Sequence, residues 1–136
     1  MADRLSVEAL MRRLIDHFWN RQAIAEIGTV FAPDAVLHSG PNDHVGHEGI
    51  RGYAEPFMAA FPNLNHEIEH LLIDGGMAAM RYRGSGNMAH DYDRMKARGQ
   101  PMEYHGNAIF RLKDGLIAEV WSNSDLSIWS AKQPRA

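Results

Sequence analysis

An α+β fold, with a curved antiparallel sheet wrapped around N-terminal helices, follows from three features of this sequence. Apolar residues recur at spacings of three and four before Pro62. Beyond it they alternate in period-two runs. The last two runs meet at Asp114-Gly115, a strong hairpin signal between alternating segments. Helices gathered ahead of strands are the mark of the α+β class.

The first element is an amphipathic helix. Val7, Leu10, Met11, Leu14, Ile15, Phe18 and Trp19 share one face, while Glu8, Arg12, Arg13 and Asp16 fill the other. Asp3 or Ser6 is placed to cap its start. A shorter rhythm of Ile24, Ile27 and Phe31 ends at Pro33, and DAVLHS then reads as a short strand. GPNDHVGHEG reads as a loop. A third helix is expected from about Glu48 to Ala60, kinked or broken at Pro56 because proline removes one backbone bond. Strands are expected over residues 64–74, 77–86, 101–112 and 116–124. Gly75-Gly76, a long polar loop from Asn87 to Gln100, and Asp114-Gly115 join them.

Composition narrows the function. The 136 residues fit one domain, 1–136, with a core of its own. Net charge is −3 with no basic stripe, which argues against nucleic acid. The chain has no cysteine, so disulfides, thiolate nucleophiles and cysteine-held metals are out. No run approaches the roughly 20 apolar residues of a membrane span, and MADRLSVEAL has no apolar run long enough for a signal peptide, so none is expected. A soluble, cytoplasmic protein is expected.

His66-Glu67-Ile68-Glu69-His70 matches H-E-x-x-H, the zinc-protease signature. That motif works on a helix, where residues four apart share a face. Here it follows a proline and runs into Gly-Gly, which is strand context. On a strand the two histidines lie ~13 Å apart along the backbone, too far for one zinc. No metal site is expected.

The hairpin admits two registers. A two-residue turn pairs Leu112 with Ile117 and Tyr104 with Asp125, and puts Glu119 opposite Phe110. A three-residue loop pairs Leu112 with Leu116 and separates the faces more cleanly. Tyr104, Ala108, Phe110, Val120 and Ser122 then face inward; His105, Asn107, Arg111, Glu119, Trp121, Asn123 and Asp125 face outward. The patterning favours the second.

The segments GHEGIRGYAEPFMAAFPNLNHEIEHLLIDGG, AAMRYRGSG and EYHGNAIFRLKDGLIAEVWSNSD together resemble the SnoaL-like polyketide cyclases, of the nuclear transport factor 2-like superfamily. The resemblance covers nearly the whole chain. It implies a cone-shaped α+β barrel in which three helices and the sheet enclose a pocket for a small apolar or polyketide-like ligand. It implies no cofactor, and frequent homodimers through the outer sheet face. In such cyclases an acid on the last strand and a histidine on the strand before it face the pocket. Matching the Asp-Gly turns puts these at Ser122 and Ala108. Neither residue can do their proton work.

Cyclisation needs a base for a proton alpha to a carbonyl and a donor for the enolate oxygen. His38, ending the first strand, is the leading candidate. Tyr104 is a candidate donor; His105, Asn123 and Asp125 form an acid–base group only if the first register, or a twist near the strand ends, turns some of them inward. Trp19, Phe57, Met80, Phe110, Val120 and Ser122 are expected to line the pocket. Arg81 is assigned to an ion pair, most methionines to core filling, and the loop with His90-Asp91 to a cap or a solvated excursion. The reading is a cofactor-independent cyclase, isomerase or dehydratase acting on a mostly apolar carbonyl compound. A non-catalytic ligand-binding protein and a dimeric interaction module are the alternatives.

Overall fold

A computed structural model describes residues 3–136. Helix α1 (Arg4–Arg13) begins on Asp3, whose carboxylate accepts the Ser6 amide at 2.9 Å. The helix then widens into a π-helical stretch, Leu14–Asn20, and a 3₁₀ turn follows at Ile24–Thr29. Of the three helices expected at the N-terminal end, this second one is therefore a tight turn. Helix α2 (Gly46–Ala60) runs through Pro56 without interruption, against expectation. Gly52 and Pro56 are both exposed, so water can satisfy the carbonyl that proline leaves without a donor.

Six strands, β1 (Phe31–Ser39), β2 (Asn42–Val45), β3 (Asn65–Asp74), β4 (Met77–Asn87), β5 (Pro101–Lys113) and β6 (Leu116–Ser124), form one curved, unclosed sheet in the order β2-β1-β6-β5-β4-β3. Strands β1 and β6 pair in parallel, which corrects the wholly antiparallel expectation. The first strand begins at Phe31 because a bulge between Phe31 and Val36 absorbs Pro33. The GPNDHVGHEG loop contributes β2, folded back on β1 over Gly40-Pro41 with Gly40 at φ +63°. A short helix α3 (Leu126–Ser130), not foreseen, ends the fold.

The β5–β6 hairpin follows the two-residue register beside the turn and, beyond it, a register that differs from both expected ones. Asp114 (φ +54°) and Gly115 (φ +78°) make a two-residue turn that pairs Leu112 with Ile117. The register then shifts between Arg111 and Leu112, so that Phe110 meets Val120 and Ala108 meets Ser122. The extra residue sits in β6, not in the turn. Its effect is the clean separation of faces that the alternation demanded.

The helices cover the concave face, where Met11, Phe18, Ile50, Met80, Phe110 and Ile117 belong to the main core. A second cluster, with Phe61, Met88, Met95 and Met102, lies beneath the 88–100 loop. Lys96 and Ala136 donate backbone bonds that tie this loop to the C-terminal tail, at 2.7 and 2.9 Å. The segment is thus pinned, not a solvated excursion.

Candidate functional site

A cavity of about 360 Å³ lies between the helices and the inner face of the sheet. Trp19, Phe57, Met80, Phe110, Val120 and Ser122 all line it. The π-helical stretch contributes Leu14, Ile15 and Trp19, and the pinned loop contributes Tyr92. Exposed Gly40, Asn123, Ser124 and Ser127 mark the mouth, between the end of β1 and the start of α3.

Its polar centre is a row of three residues on adjacent strands. His66 on β3 stands opposite Gly84 on β4, and Gly84 stands opposite Tyr104 on β5. A side chain at Gly84 would meet the Tyr104 ring at 2.3 Å and His66 Cδ2 at 3.0 Å. Because glycine leaves that space, the two side chains meet across the middle strand, with His66 Nε2 and the Tyr104 hydroxyl 2.5 Å apart. The next row repeats the device: Tyr82 lies over Gly106, where a Cβ would sit 2.3 Å from the phenol, and its hydroxyl meets Ser122 Oγ at 3.1 Å. A second hydroxyl–hydroxyl pair, Ser39 and Tyr53, lies at 3.1 Å.

His66 is fixed from both sides. Its backbone N–H donates to Asn20 Oδ1 at 2.6 Å, and its carbonyl accepts from Asn20 Nδ2 at 2.9 Å. A carboxamide at the end of the π-helical stretch thus takes the place of a strand partner on edge strand β3. The rings of Trp19, Tyr82 and Tyr104 surround the imidazole at 5.6–5.7 Å. Burial pulls its pKa down to about 4, so the ring is neutral at neutral pH. Its Nδ1 is buried with no hydrogen-bond partner. Burial also pushes Tyr82 and Tyr104 up, Tyr104 strongly, and both phenols keep their protons.

Three of the four catalytic candidates lie elsewhere. His38 points away from the cavity because its neighbours Leu37 and Ser39 take the inward positions on β1. Its ring stacks on Trp121 and binds Asp43 through Nδ1 at 2.7 Å and Glu119 through Nε2 at 2.6 Å. His105 faces outward between Tyr104 and Gly106 for the same reason. Asp125 closes the hairpin end, accepting the His105 amide at 2.7 Å and donating its own amide to the His105 carbonyl at 3.0 Å. Only Tyr104 of the four reaches the cavity. Arg81 pairs with Glu69 at 3.3 Å on the outer face.

The sequence pattern of the SnoaL-like polyketide cyclases matches residues 9–130. The chain belongs to that family. No curated protein matches it. Among solved structures, TsrD from Streptomyces laurentii is 23% identical over 97% of each chain, with a TM-score of 0.86. AclR from Streptomyces galilaeus, provisionally called a hydroxylase, is 22% identical over 98% of this chain and 90% of its own, at 0.84. A SnoaL-like polyketide cyclase from Agrobacterium tumefaciens strain C58 is 20% identical over 93% and 96%, at 0.76. These likenesses are to the fold.

Within that family frame, Ala108 and Ser122 pair across β5 and β6, and both line the cavity. Two small residues thus occupy the places where the resemblance put a histidine and an acid. In the sequence His66 stands out only as half of a zinc motif. A signal was present nonetheless. Tyr82-Arg83-Gly84 and Tyr104-His105-Gly106 repeat one Tyr-x-Gly pattern on neighbouring strands, and antiparallel pairing sets each tyrosine against the other's glycine.

Proposed function

We propose that this protein binds a small, mostly apolar carbonyl compound and catalyses its cyclisation, isomerisation or dehydration without a cofactor, using His66 and Tyr104. What carries the reading is the neutral, partly unpartnered imidazole held against a phenol in the wall of a largely apolar cavity. His66 takes a proton from carbon alpha to a carbonyl and becomes imidazolium; the bonding pair moves into the enolate. A hydroxyl of Tyr104 or Tyr82 donates to the enolate oxygen. In cyclisation the enolate carbon attacks a second carbonyl carbon of the same molecule, a C–C bond forms, and the new alkoxide recovers the proton from the imidazolium. A base of such low pKa suits an activated proton, such as one flanked by two carbonyls.

Deuterium uptake at the activated carbon of a bound β-keto ester tests this. Wild type is expected to catalyse exchange, and His66→Phe to lose it by about 100-fold or more while still binding. Binding with no exchange in wild type would leave a non-catalytic ligand-binding protein, the reading that Ala108 and Ser122 favour.

The outer sheet face is the proposed homodimer surface. His38, Trp121, Ile109, Ala79 and Leu72 form one row across five strands, and Trp121, Ile109 and Leu72 are 38%, 48% and 69% exposed. Arg111–Glu119 and Arg81–Glu69 flank the row.

A further inference from the structure

Strand β3 lies at the edge of the sheet, and His66 faces Gly84 on its one neighbouring strand. The main-chain N–H and C=O of His66 both turn to the open side, where no strand stands to meet them. Asn20 meets both, through Oδ1 at 2.6 Å and Nδ2 at 2.9 Å. It ends the π-helical stretch, a rare widening of a helix that recurs at functional sites. Two residues on, Gln22 adopts φ +52°, a left-handed conformation that costs a non-glycine residue free energy. Its carboxamide donates to the carbonyls of Met58 and Phe61, at 3.3 and 3.1 Å, where α2 ends. The end of the π stretch is thus braced on α2 at Gln22 and grips β3 at Asn20.

We infer that Asn20, braced by Gln22, is a positioning residue: it sets where the His66 imidazole stands against Tyr104 and keeps water from the ring. This rests on the proposed role of His66 as the base, and Asn20 itself touches no reacting atom. Without the clamp, only β4 would hold this part of the edge strand, and the ring would swing with it. The geometry leaves little tolerance, because the imidazole reaches the phenol across the space that Gly84 leaves open. A misplacement on the order of 1 Å can slow a reaction ~100-fold. Closing the edge has a second effect. The titratable groups facing the ring are Tyr82 on β4 and Tyr104 on β5, and Trp19 completes the enclosure. No carboxylate or cation is among them, so dryness alone holds the imidazole neutral, and dryness depends on a shut edge.

The test compares wild type with Asn20→Ala and Gln22→Gly, all as full chains. Glycine accepts the backbone conformation of residue 22 and removes only the brace, so this variant folds even if Asn20→Ala does not. Three quantities are followed: the His66 ring titration by NMR, hydrogen exchange of the His66 amide, and deuterium exchange into ethyl benzoylacetate, a β-keto ester. Asn20→Ala is expected to raise the ring's midpoint from about 4 toward 6.5, a roughly tenfold or greater gain in proton affinity. Its His66 amide should exchange ~10-fold faster or more. Ester exchange should nonetheless slow ~10–100-fold, with ester binding little changed, because a stronger base is out of place. Gln22→Gly should move all three the same way, by less. A purely structural Asn20 would lower the Tm and leave the folded variant's midpoint and rate at wild-type values, which overturns the inference. An unchanged ring and amide in Gln22→Gly, where Asn20→Ala is unfolded, overturn it too. If wild type does not exchange the ester, the catalytic reading falls. The midpoint and the amide then still decide: shifts in Asn20→Ala uphold the positioning role, and their absence removes it.

Discussion

His66 and His38 occupy opposite faces of one sheet, and the faces give them opposite electrostatics. His66 is buried among rings, so its pKa falls from an ordinary 6.5 to about 4. Between those values the unfolded chain holds more protons than the folded one. Stability from this group is therefore complete above pH ~6.5 and is lost as pH falls toward 4, by at most about 3 kcal/mol. Hydrogen bonds to Glu119 and then Asp43 raise the pKa of His38 above 6.5. Its contribution is complete below pH ~6.5 and disappears as pH rises through the raised value. Urea unfolding across pH ~4–8 checks both signs. His66→Phe is expected to flatten the acid limb, and His38→Gln the fall on the neutral-to-basic side. An unchanged acid limb in the His66 variant would mean that the imidazole is not held neutral.

Glycines at two points of β4 and β5 decide whether the site exists. Gly84→Ala and Gly106→Ala each force a Cβ to within 2.3 Å of a tyrosine ring atom. Each is expected to cost about 1–3 kcal/mol, as overpacked positions do. Gly84→Ala should also part His66 from Tyr104 and move the His66 resonances. Gly52 lies in α2 with nothing within 4 Å of an added Cβ, so Gly52→Ala should stabilise by about 0.5–1 kcal/mol through helix propensity. Thermal and urea denaturation of the three variants measures the contrast.

The same elements show how much of the fold the sequence disclosed. Apolar periodicity placed α1, α2 and the four long strands, and the resemblance supplied the family. Strand β2 escaped because its residues are polar and mostly exposed, so no alternation distinguished it from a loop. The bulge in β6 escaped because one candidate register was regular throughout and the other put its bulge in the turn. For the site, the inward parity of Tyr104, Ala108, Phe110, Val120 and Ser122 was legible. His38 was misplaced for a local reason: the end of a strand reaches the cavity, but only alternate side chains do. His66 needed the three-strand row through Gly84, a relation between residues 38 positions apart that no short motif expresses.

At the scale of the molecule, one sheet serves two surfaces, with the cavity on its concave side and the exposed Trp121 row on its convex side. No helix among the described residues is long and apolar enough to cross a membrane. If the convex row joins two copies, Trp121→Glu combined with Ile109→Asp is expected to turn a dimer into a monomer in sedimentation velocity, with the cavity intact. A wild-type chain that sediments as a monomer at micromolar concentration would contradict that proposal.

The cavity side makes the stronger demand, because the account gives its proton transfer to His66 alone. The pH profile of deuterium exchange into a β-keto ester, at sub-saturating ligand where the rate reports the ligand-free protein, tests this most directly. The rate should be half-maximal near pH 4, where His66 loses its proton, and level through neutrality. Loss of the exchange in His66→Phe should accompany that profile. Half-maximal exchange near pH 6.5, or exchange that survives in the His66 variant, would assign the proton to another group and contradict the account.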